Sequence, residues 1–413
     1  MESIRFIHAA DLHLGSPLSV AAGAPSLLKK QFENSIYAAV HKMINNAIQF
    51  KVDFIILAGD LFDQENRSIK SQLFLKQQLE LLKPHGISVY IVHGNHDPLA
   101  ENYAPVEWPD NVEVFSTVPE MKVFYKNNKP AAHLYGCSYR EREMPTNIAK
   151  AYNKQHGAPF HIGILHGQEK TVADADNYAP FSLKDLVEKE MDYWALGHIH
   201  TRQNLSPHIC YPGNIQARHR KEQGEKGYLL VDLKKDELDI SFQAVSNVVF
   251  ENLEISINGK ETFDHLTNTL IKQIKQVSLE YAEGLWLEIE LTGSGRLSEH
   301  LESEINVEEW KEAINEIGAL EDPFFYIYRI KNKTIPAEVT DQIKDGEHFL
   351  GDTHQAANFY RSNPDMLQRE WEELLHHPSA KKFMSENTAS NMEVIIEEAE
   401  RTIWNKWGRG VSN

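Results

Sequence analysis

The fold class of this chain can be predicted from ten consecutive residues, Phe54-Ile-Ile-Leu-Ala-Gly-Asp-Leu-Phe-Asp63. The five leading apolar residues of this stretch are typical of a buried strand, and the glycine that follows them predicts a turn directly after the strand. Asp60 lies in that turn, so its carboxylate is predicted just past the carboxyl end of the strand. In open α/β sheets ligands bind at this end, because loops there aim side chains into a common crevice. The stretch therefore predicts a layered α/β domain with a polar site at one edge.

The same arrangement recurs through the first 245 residues. Further strands are predicted over 4–8, 89–92, 161–165 and 193–196, helices over 27–49 and 69–82, and a closing hairpin over 226–233 and 238–244. A polar segment follows each further strand, and these segments are Asp11-x-His13, Gly94-Asn95-His96-Asp97, His166 and Gly197-His198-x-His200. We expect two stacked sheets flanked by helices, with the polar segments together at one edge.

These segments carry the ligand types that hard divalent cations prefer, namely carboxylates, imidazoles and an amide oxygen. Two adjacent ions need one shared ligand, and Asp60 suits that bridge. The remaining ligands would be Asp11, His13 and His200 at one site, and Asn95, His166 and His198 at the other. Any one segment alone would more often be a turn or a helix cap. Their joint occurrence after five strands predicts a dinuclear metal site.

Two further side chains are predicted to be catalytic. His96 follows the ligand Asn95 directly, so it points into the crevice without being needed as a ligand. Paired metals activate a bridging water for in-line attack at phosphorus, and we expect His96 to protonate the departing oxygen. Asp63 is expected to hold the other ring nitrogen of His96.

The densest basic cluster of the chain follows the last metal segment and consists of Arg218, His219, Arg220 and Lys221. One interpretation is that Arg218, Arg220 and Lys221 contact backbone phosphates. The other is a solvated hairpin loop that carries surface charges. The sequence favours neither.

The rest of the chain is predicted to form a smaller α+β domain over 246–335 and an acidic helical region over 336–413. The α+β domain has a β-α-β-α-β pattern, with strands over 248–257, 286–291 and 324–330 and helices over 262–276 and 307–317. The segment 333–364 is predicted to be a loop, and amphipathic helices are predicted over 365–376 and 391–407. Docking of a partner on these helices and packing against their own domain both remain open.

The formal net charge of -18 is unevenly distributed along the chain. Residues 1–245 carry 26 Lys and Arg against 29 Asp and Glu, whereas residues 246–413 carry 16 against 31. The second part is therefore not expected to touch a polyanion, whereas a local phosphate-binding face in the first part is compatible with its charge.

The composition also indicates where the protein is located and whether its cysteines form disulfides. No apolar run approaches the roughly 20 residues that span a bilayer, and no secretion signal follows Met1, so we expect no membrane contact and a cytoplasmic location. Cys137 and Cys210 lie in apolar stretches and are expected to be buried free thiols, because two cysteines cannot form a disulfide framework.

Over residues 1 to about 245 the motifs resemble the calcineurin-like metallophosphoesterase superfamily. Within it, His8-Ala-Ala-Asp-Leu-His-Leu-Gly15, Gly59-Asp-Leu-Phe-Asp63 and the Tyr-Pro-Gly that begins at Tyr211 are similar to the SbcD-type DNA double-strand-break repair nucleases. Asn214-Ile-Gln216 and the basic residues after it are similar to the YhaO-like bacterial branch.

The resemblance implies a four-layer α/β/β/α sandwich, two divalent metal ions of the Mn²⁺ type, and exonuclease or endonuclease activity on DNA in DNA repair. It also implies an SMC-like ATPase partner of the SbcC type and a capping role for residues 246–335. It leaves open whether two copies of the chain pair as a homodimer.

Two other functions remain open at this point. The first is a small-molecule phosphodiesterase, for example for a cyclic nucleotide, because metal ligands alone do not distinguish one phosphodiester from another. The second is a scaffold that binds DNA ends and an ATPase with little hydrolysis of its own. His96 and Asp63 speak against the scaffold, because a binding protein has no need of a proton donor.

Overall fold

The computed structural model describes residues 3–16, 24–63, 68–100, 106–170, 178–279, 281, 283–337, 339, 346–371 and 392–407. The chain divides into two compact units, one formed by Met1–Phe250 with Tyr281–Gly284 and the other by Glu251–Glu280 with Leu285–Asn413. The division into 1–245, 246–335 and 336–413 remains a prediction.

The first unit contains a six-stranded sheet in which four parallel strands are extended by an antiparallel hairpin. Its spatial order is β12 (Glu237–Ala244), β11 (Gly227–Lys234), β1 (Ser3–Ala9), β2 (Phe54–Ala58), β3 (Ser88–Val92) and β4 (Val112–Val114). Every residue of β2 is buried, as expected for a parallel strand that is covered on both faces.

A second six-stranded sheet follows in the same unit. Its order is β5 (Glu120–Lys126), β6 (Lys129–Gly136), β7 (Phe160–His166), β8 (Tyr193–Gly197), β10 (Ile209–Tyr211) and β9 (Gln203–Ser206). The four inner strands are parallel, and the two edge strands pair antiparallel with their neighbours.

The two sheets pack face to face around an aromatic core. The ring of Phe54 stacks on Phe6 at a centroid distance of 4.9 Å and lies 4.8 Å from Phe124 of the opposite sheet. Alternate residues of β1 and β2 point to the other side, where they meet α1 (Ser26–Phe50) and α2 (Ile69–Glu80). The outer face of the second sheet is covered by α3 (Leu183–Val187) and a short 3-10 helix, Ile148–Ala151. The predicted four-layer α/β/β/α sandwich is confirmed.

The carboxyl ends of the parallel strands of both sheets meet at one edge of the sandwich. The clearest link is the ring of His166, at the end of β7, whose Nδ1 donates a hydrogen bond of 2.9 Å to the carbonyl oxygen of Ala58 at the end of β2. All five polar segments of the sequence therefore emerge around one crevice.

The second unit is built on a three-stranded sheet in the order β13 (Val249–Ser256), β14 (Gly284–Thr292) and β15 (Phe324–Asn332). Its helices are α4 (Phe263–Ser278), α5 (Leu297–Leu301) and α6 (Glu304–Gly318). α4 buries Leu266, Leu270 and Ile274, which recur every four residues on one face. The predicted β-α-β-α-β pattern is present, with the additional short helix α5.

The loop predicted over 333–364 is wrong for its second half, where helix α7 (Phe349–Ser362) lies. His348 caps this helix by accepting a hydrogen bond from the backbone N–H of Gly351. The apolar residues Leu350 and Ala357 are too sparse to give a clear helical period in the sequence, yet both are buried. They are buried because later helices cover them, which is a tertiary effect.

The chain ends in α8 (Pro364–Glu370) and α9 (Met392–Trp407), and the predicted helix end at His376 lies outside the described residues. Leu367, Met392 and Ile396 form an apolar cluster with Ala357 of α7. At least one face of each terminal helix is therefore buried within the second unit itself. In the described part of the chain, no helix has both the length and the apolar content for crossing a bilayer.

Candidate metal centre

Several predicted ligands sit on strained backbone at the strand ends. Asp11, His13, Asp60 and His198 have φ angles of 53°, 46°, 51° and 103°, in the region that L-residues rarely adopt. Such conformations cost about 1–3 kcal/mol each and persist where surrounding contacts enforce them. Backbone hydrogen bonds from Asp11 N to Gly59 O and from His13 N to Asp60 O, both 3.0 Å, supply that enforcement. The two turns are thus locked side by side.

Glycines make the close approach of these turns possible. A Cβ atom on Gly59 would lie 2.1 Å from Nδ1 of His166, and one on Gly94 would lie 2.2 Å from Oδ1 of Asp60. A Cβ atom on Gly197 would lie 1.8 Å from the carbonyl oxygen of Ala58. No side chain fits at these positions, so the glycines of the motifs serve packing of the site.

The first group of ligand atoms comes from Asp11, His13 and His200, which can hold one ion because their ligand atoms lie within 4.8 Å of one another. Nε2 of His13 and Nε2 of His200 are 3.1 Å apart. Nδ1 of His200 donates to Oε1 of Glu222 at 2.7 Å, which leaves a lone pair on Nε2. The lone pair of this imidazole points toward other acceptor atoms, and a bound cation would interact favourably with all of them.

The second group is formed around His166. Because its Nδ1 donates to Ala58 O, the neutral ring has its lone pair on Nε2, and this atom lies 3.0 Å from Oδ1 of Asn95 and 3.4 Å from Oδ2 of Asp60. Oδ1 of Asn95 is also 3.2 Å from Nδ1 of His198. His198 has Nε2 3.3 Å from Oε1 of Gln168, an oxygen that only accepts, so Nδ1 of His198 is the atom free to bind a metal. Acceptors thus converge without a donor between them.

Asp60 lies between the two groups. Its Oδ2 is 3.7 Å from Nε2 of His13 and 3.4 Å from Nε2 of His166, while its Oδ1 accepts a hydrogen bond from the backbone N–H of His96 at 2.9 Å. The carboxylate is 1% exposed, so nothing but these neighbours and a bound ion can neutralise it. The donor set fits two divalent cations.

The pKa values of two of these buried histidines are shifted in opposite directions. Burial opposes the protonated form of His166, but the Asp60 and Asp11 carboxylates outweigh burial and raise the pKa of His166 to about 9. Burial, with the neighbouring His166, lowers the pKa of His198 to about 3. Without a cation the cluster therefore takes up a proton at His166, and metal binding must displace that proton.

His96 and Asp63 form the predicted pair at the mouth of the crevice. Nδ1 of His96 is 3.4 Å from Oδ1 of Asp63, at the long end of hydrogen-bond distance. The hydrogen bond from Asp63 raises the pKa of His96, and the same bond lowers the pKa of Asp63. The His96 ring is 30% exposed, so a substrate can reach it.

Three positioning residues escaped the sequence analysis. Glu222 is 7% exposed and accepts from His200, from the side-chain amide of Asn214 at 2.9 Å and from the backbone N–H of Arg218 at 2.7 Å. Ser16 donates to Oδ2 of Asp63 at 2.9 Å, and Gln168 faces His198. None carries a motif signal. Gln168 and Ser16 lie two and three residues after a proposed ligand and Glu222 lies 22 positions after His200, and all three contacts arise only through folding.

The carboxylate of Asp97 joins two of the turns that carry proposed ligands. Its Oδ1 accepts from Gly94 N at 2.8 Å, and its Oδ2 accepts from Leu61 N at 3.0 Å and lies 3.0 Å from Nδ1 of His93. One buried carboxylate therefore ties the turn after β3 to the turn after β2.

The basic cluster is divided by the fold. Arg218 is 14% exposed and lies in the crevice, with Nη1 3.7 Å from Oδ2 of Asp63 and Nη2 3.4 Å from Nδ1 of His200. Arg220 and Lys221 are exposed. Cys137 and Cys210 are both buried free thiols, as predicted.

Comparison with known proteins places this geometry in context. A family model described as calcineurin-like phosphoesterase matches residues 4–202. The chain is 38% identical to the uncharacterized metallophosphoesterase YhaO of Bacillus subtilis over 97% of both chains. It is 25% identical to the DNA double-strand break repair protein Mre11 of Methanocaldococcus jannaschii, over 64% of this chain and 72% of that one. It is 26% identical to the protein of the same name from Sulfurisphaera tokodaii, over 68% and 74% of the two chains.

Proposed function

Because this chain belongs to the calcineurin-like phosphoesterase family, we propose that its phosphoesterase site cleaves phosphodiester bonds of DNA, as an exonuclease or endonuclease in DNA repair. Family membership makes the protein a metal-dependent phosphoesterase. The DNA substrate, the repair role and Mn²⁺ as the metal are our proposal. We keep Asp11, His13, Asp60, Asn95, His166, His198 and His200 as the proposed ligands.

The observation that carries the two-metal part is the position of Asp60. One oxygen of its carboxylate is within 3.7 Å of an imidazole from each proposed site, His13 on one side and His166 on the other. Two ions about 4 Å apart require a shared ligand of this kind. The distances support Asp60 as that bridge.

The bound ions would supply an activated water and a clamp on the attacking and departing oxygens. The chain supplies the proton. Asp63 holds Nδ1 of His96, which leaves Nε2 of His96 to donate a proton to the departing oxygen. The raised pKa of His96, caused first by its bond with Asp63, keeps more of the ring protonated near neutral pH.

Two observations support DNA over a small ester. The proteins named for DNA double-strand break repair from Methanocaldococcus jannaschii and Sulfurisphaera tokodaii align with 64% and 68% of this chain. In addition, Arg218 lies in the crevice beside His200 and Asp63, in a basic cluster with Arg220 and Lys221, and we propose that these three side chains contact phosphates. The acidic second unit is not proposed to contact DNA.

We also propose an SMC-like ATPase of the SbcC type as a partner. The exposed aromatic pair Phe349 and Trp407, with ring centroids 5.8 Å apart, offers an apolar surface for it. Co-purification with a purified SbcC-type ATPase, compared with a Phe349→Ala/Trp407→Ala variant, tests this. Sedimentation of the chain alone tests whether it forms a homodimer.

The function is tested with an end-labelled linear duplex, a cyclic nucleotide and an aryl phosphodiester, each with Mn²⁺ and with EDTA. We expect Mn²⁺-dependent cleavage of the duplex. His96→Ala should lower kcat by about 10²- to 10⁴-fold with unchanged metal content, because it removes only the proton donor.

The other candidate functions predict different results. Turnover of the small esters alone would make the protein a small-molecule phosphodiesterase. Tight binding of DNA ends with no Mn²⁺-dependent cleavage would favour the scaffold.

A further inference from the structure

The guanidinium of Arg218 lies where the first ligand group meets the His96–Asp63 pair. Its Nη1 is 3.3 Å from Oγ of Ser16 and 3.7 Å from Oδ2 of Asp63. In a hydrogen-bonded ion pair between arginine and a carboxylate, the nitrogen and oxygen atoms are about 2.7–2.9 Å apart. The contact with Asp63 is therefore too long to account for the position of Arg218.

Among the described residues, most donors of this guanidinium lack an acceptor. Nε is buried and has no hydrogen-bond partner among the described residues. Nη2 faces Nδ1 of His200 at 3.4 Å, but that nitrogen already donates to Glu222 and has no lone pair to offer. Ser16 Oγ, which donates to Asp63, accepts only the one bond from Nη1. A charged group with unmet donors at a crevice is costly unless an anion completes it.

Glu222 fixes the loop that carries Arg218 through hydrogen bonds to its backbone and to Asn214. One oxygen of Glu222 accepts from the backbone N–H of Arg218 at 2.7 Å and from Asn214 at 2.9 Å. The other oxygen accepts from His200 at 2.7 Å. The same buried carboxylate thus orients a proposed metal ligand and the backbone that presents the arginine, so the two are held in fixed relation.

We propose that Arg218 binds a non-bridging oxygen of the phosphate that reacts, and that Arg220 and Lys221 contact only phosphates farther along a polymer. This inference rests on the proposed function but names which basic residue serves the reacting group. Arginine suits this role, because its planar fork matches two phosphate oxygens and cannot lose its charge near neutral pH. Arg220 and Lys221, by contrast, are exposed to solvent.

The experiment compares Arg218→Ala, Arg218→Lys and Arg220→Ala on two substrates, the duplex and the aryl phosphodiester. Arg5→Ala, which removes an exposed arginine near the start of β1, is the control for loss of an arginine as such. Binding of inorganic phosphate to the Mn²⁺-loaded protein is measured by calorimetry, and metal content by elemental analysis.

Arg218→Ala should lose about 10- to 100-fold in kcat/KM on both substrates, because a charge-assisted hydrogen bond to the phosphate disappears. It should bind phosphate correspondingly more weakly and keep its metals. Arg218→Lys should recover part of the loss, and millimolar free guanidinium should partly rescue Arg218→Ala. Arg220→Ala should weaken activity on the duplex only.

Three results would overturn the proposal. The first is an Arg218→Ala variant with unchanged kcat/KM on the aryl ester and unchanged phosphate affinity. The second is a decrease in kcat/KM that affects the duplex alone. The third is a decrease in kcat/KM that is accompanied by loss of bound metal. If the wild type cleaves the aryl ester but not DNA, the DNA proposal fails while the test of Arg218 stands. If it cleaves neither, phosphate binding alone decides the role of Arg218.

Discussion

Three of the four histidines proposed as metal ligands can offer a ring nitrogen to an ion because their other ring nitrogen already has a polar partner. Glu222 fixes His200, the carbonyl of Ala58 fixes His166, and Gln168 fixes His198. Each of these partners sets the tautomer and turns a lone pair into the crevice. His13 is the exception, since its Nδ1 is buried without a partner among the described residues. Its orientation depends on packing and on the strained backbone at residue 13.

Replacing Glu222 by Gln should weaken Mn²⁺ binding by about 10- to 100-fold. Glu222 accepts from three donors, whereas an amide accepts at one atom only and its NH₂ group would face another donor. Titration calorimetry with Mn²⁺ measures the effect. Glu225→Gln, an exposed change in the same loop, should leave the affinity unchanged, and equal affinities for both variants would contradict the role of Glu222.

His8 should make the stability of the protein depend on pH. Burial lowers the pKa of this histidine from 6.5 to about 3 in the folded protein. Between these values the unfolded chain binds the extra proton, so this stability is fully present above pH 6.5 and is lost as pH falls toward 3, by up to about 1.4 kcal/mol per pH unit. Urea unfolding at pH 7, 6 and 5 in EDTA should show a shallower slope for His8→Gln than for the wild type. Parallel slopes would mean that His8 contributes nothing.

At the scale of elements, the site depends on how closely the ends of β2, β7 and β8 approach. Neighbouring strands within each sheet are joined by hydrogen bonds, but β2 belongs to one sheet and β7 and β8 to the other. Ala58 is the contact between them, since its carbonyl holds His166 and leaves no room for a Cβ on Gly197. The geometry of the centre is thus set by the spacing between two sheets.

Gly197→Ala should destabilise the protein by about 1–3 kcal/mol and reduce Mn²⁺ affinity, because the new methyl group must push β8 away from Ala58. Chemical unfolding and metal titration measure the two effects. Gly295→Ala is the matched control, since a Cβ there meets its nearest atom at 3.6 Å. A Gly197→Ala protein with wild-type stability and affinity would show that the strand ends are not tightly coupled.

The last helices illustrate how packing decides an element that its sequence leaves open. Glu400 of α9 is 4% exposed and pairs with Arg361 and His354 of α7. A buried carboxylate of this kind needs its partners, so α9 specifies where α7 must lie. The acidic character of this region therefore does not make every acid a surface residue.

In the molecule as a whole, the proposed metal ligands and the excess of acidic residues lie in different parts of the chain. The nearly balanced first 245 residues carry the crevice, and the strongly acidic remainder carries no proposed ligand. Any linkage between metal binding and stability should therefore act on the first unit.

Mn²⁺ at 100 times its Kd should stabilise the first unit by about 2.7 kcal/mol, and EDTA should abolish this. Hydrogen exchange resolved by strand distinguishes the units. With Mn²⁺ bound, the backbone amides of β2 and β7 should exchange more slowly, whereas those of β14 should exchange at an unchanged rate. Equal protection of β14 would mean that both units unfold as one cooperative block.

The layered α/β class, the strands at whose ends the crevice forms and the proposed ligands that follow those strands could all be predicted from the sequence. This was possible because β2 is apolar throughout and Asp60 follows it directly, so one short segment encodes both the strand and the ligand. The interpretation of Cys137 and Cys210 as buried thiols followed in the same way from their apolar neighbours.

The groups that contact and orient those residues became visible only in the folded structure. Glu222 reaches His200 across 22 positions, and Arg218 enters the crevice while Arg220, two residues on, stays outside. The buried residues Leu350 and Ala357 of α7 pack against α9, which lies more than 30 positions later in the chain. Such relations depend on contacts between distant segments, and a local pattern of residue types carries no record of them.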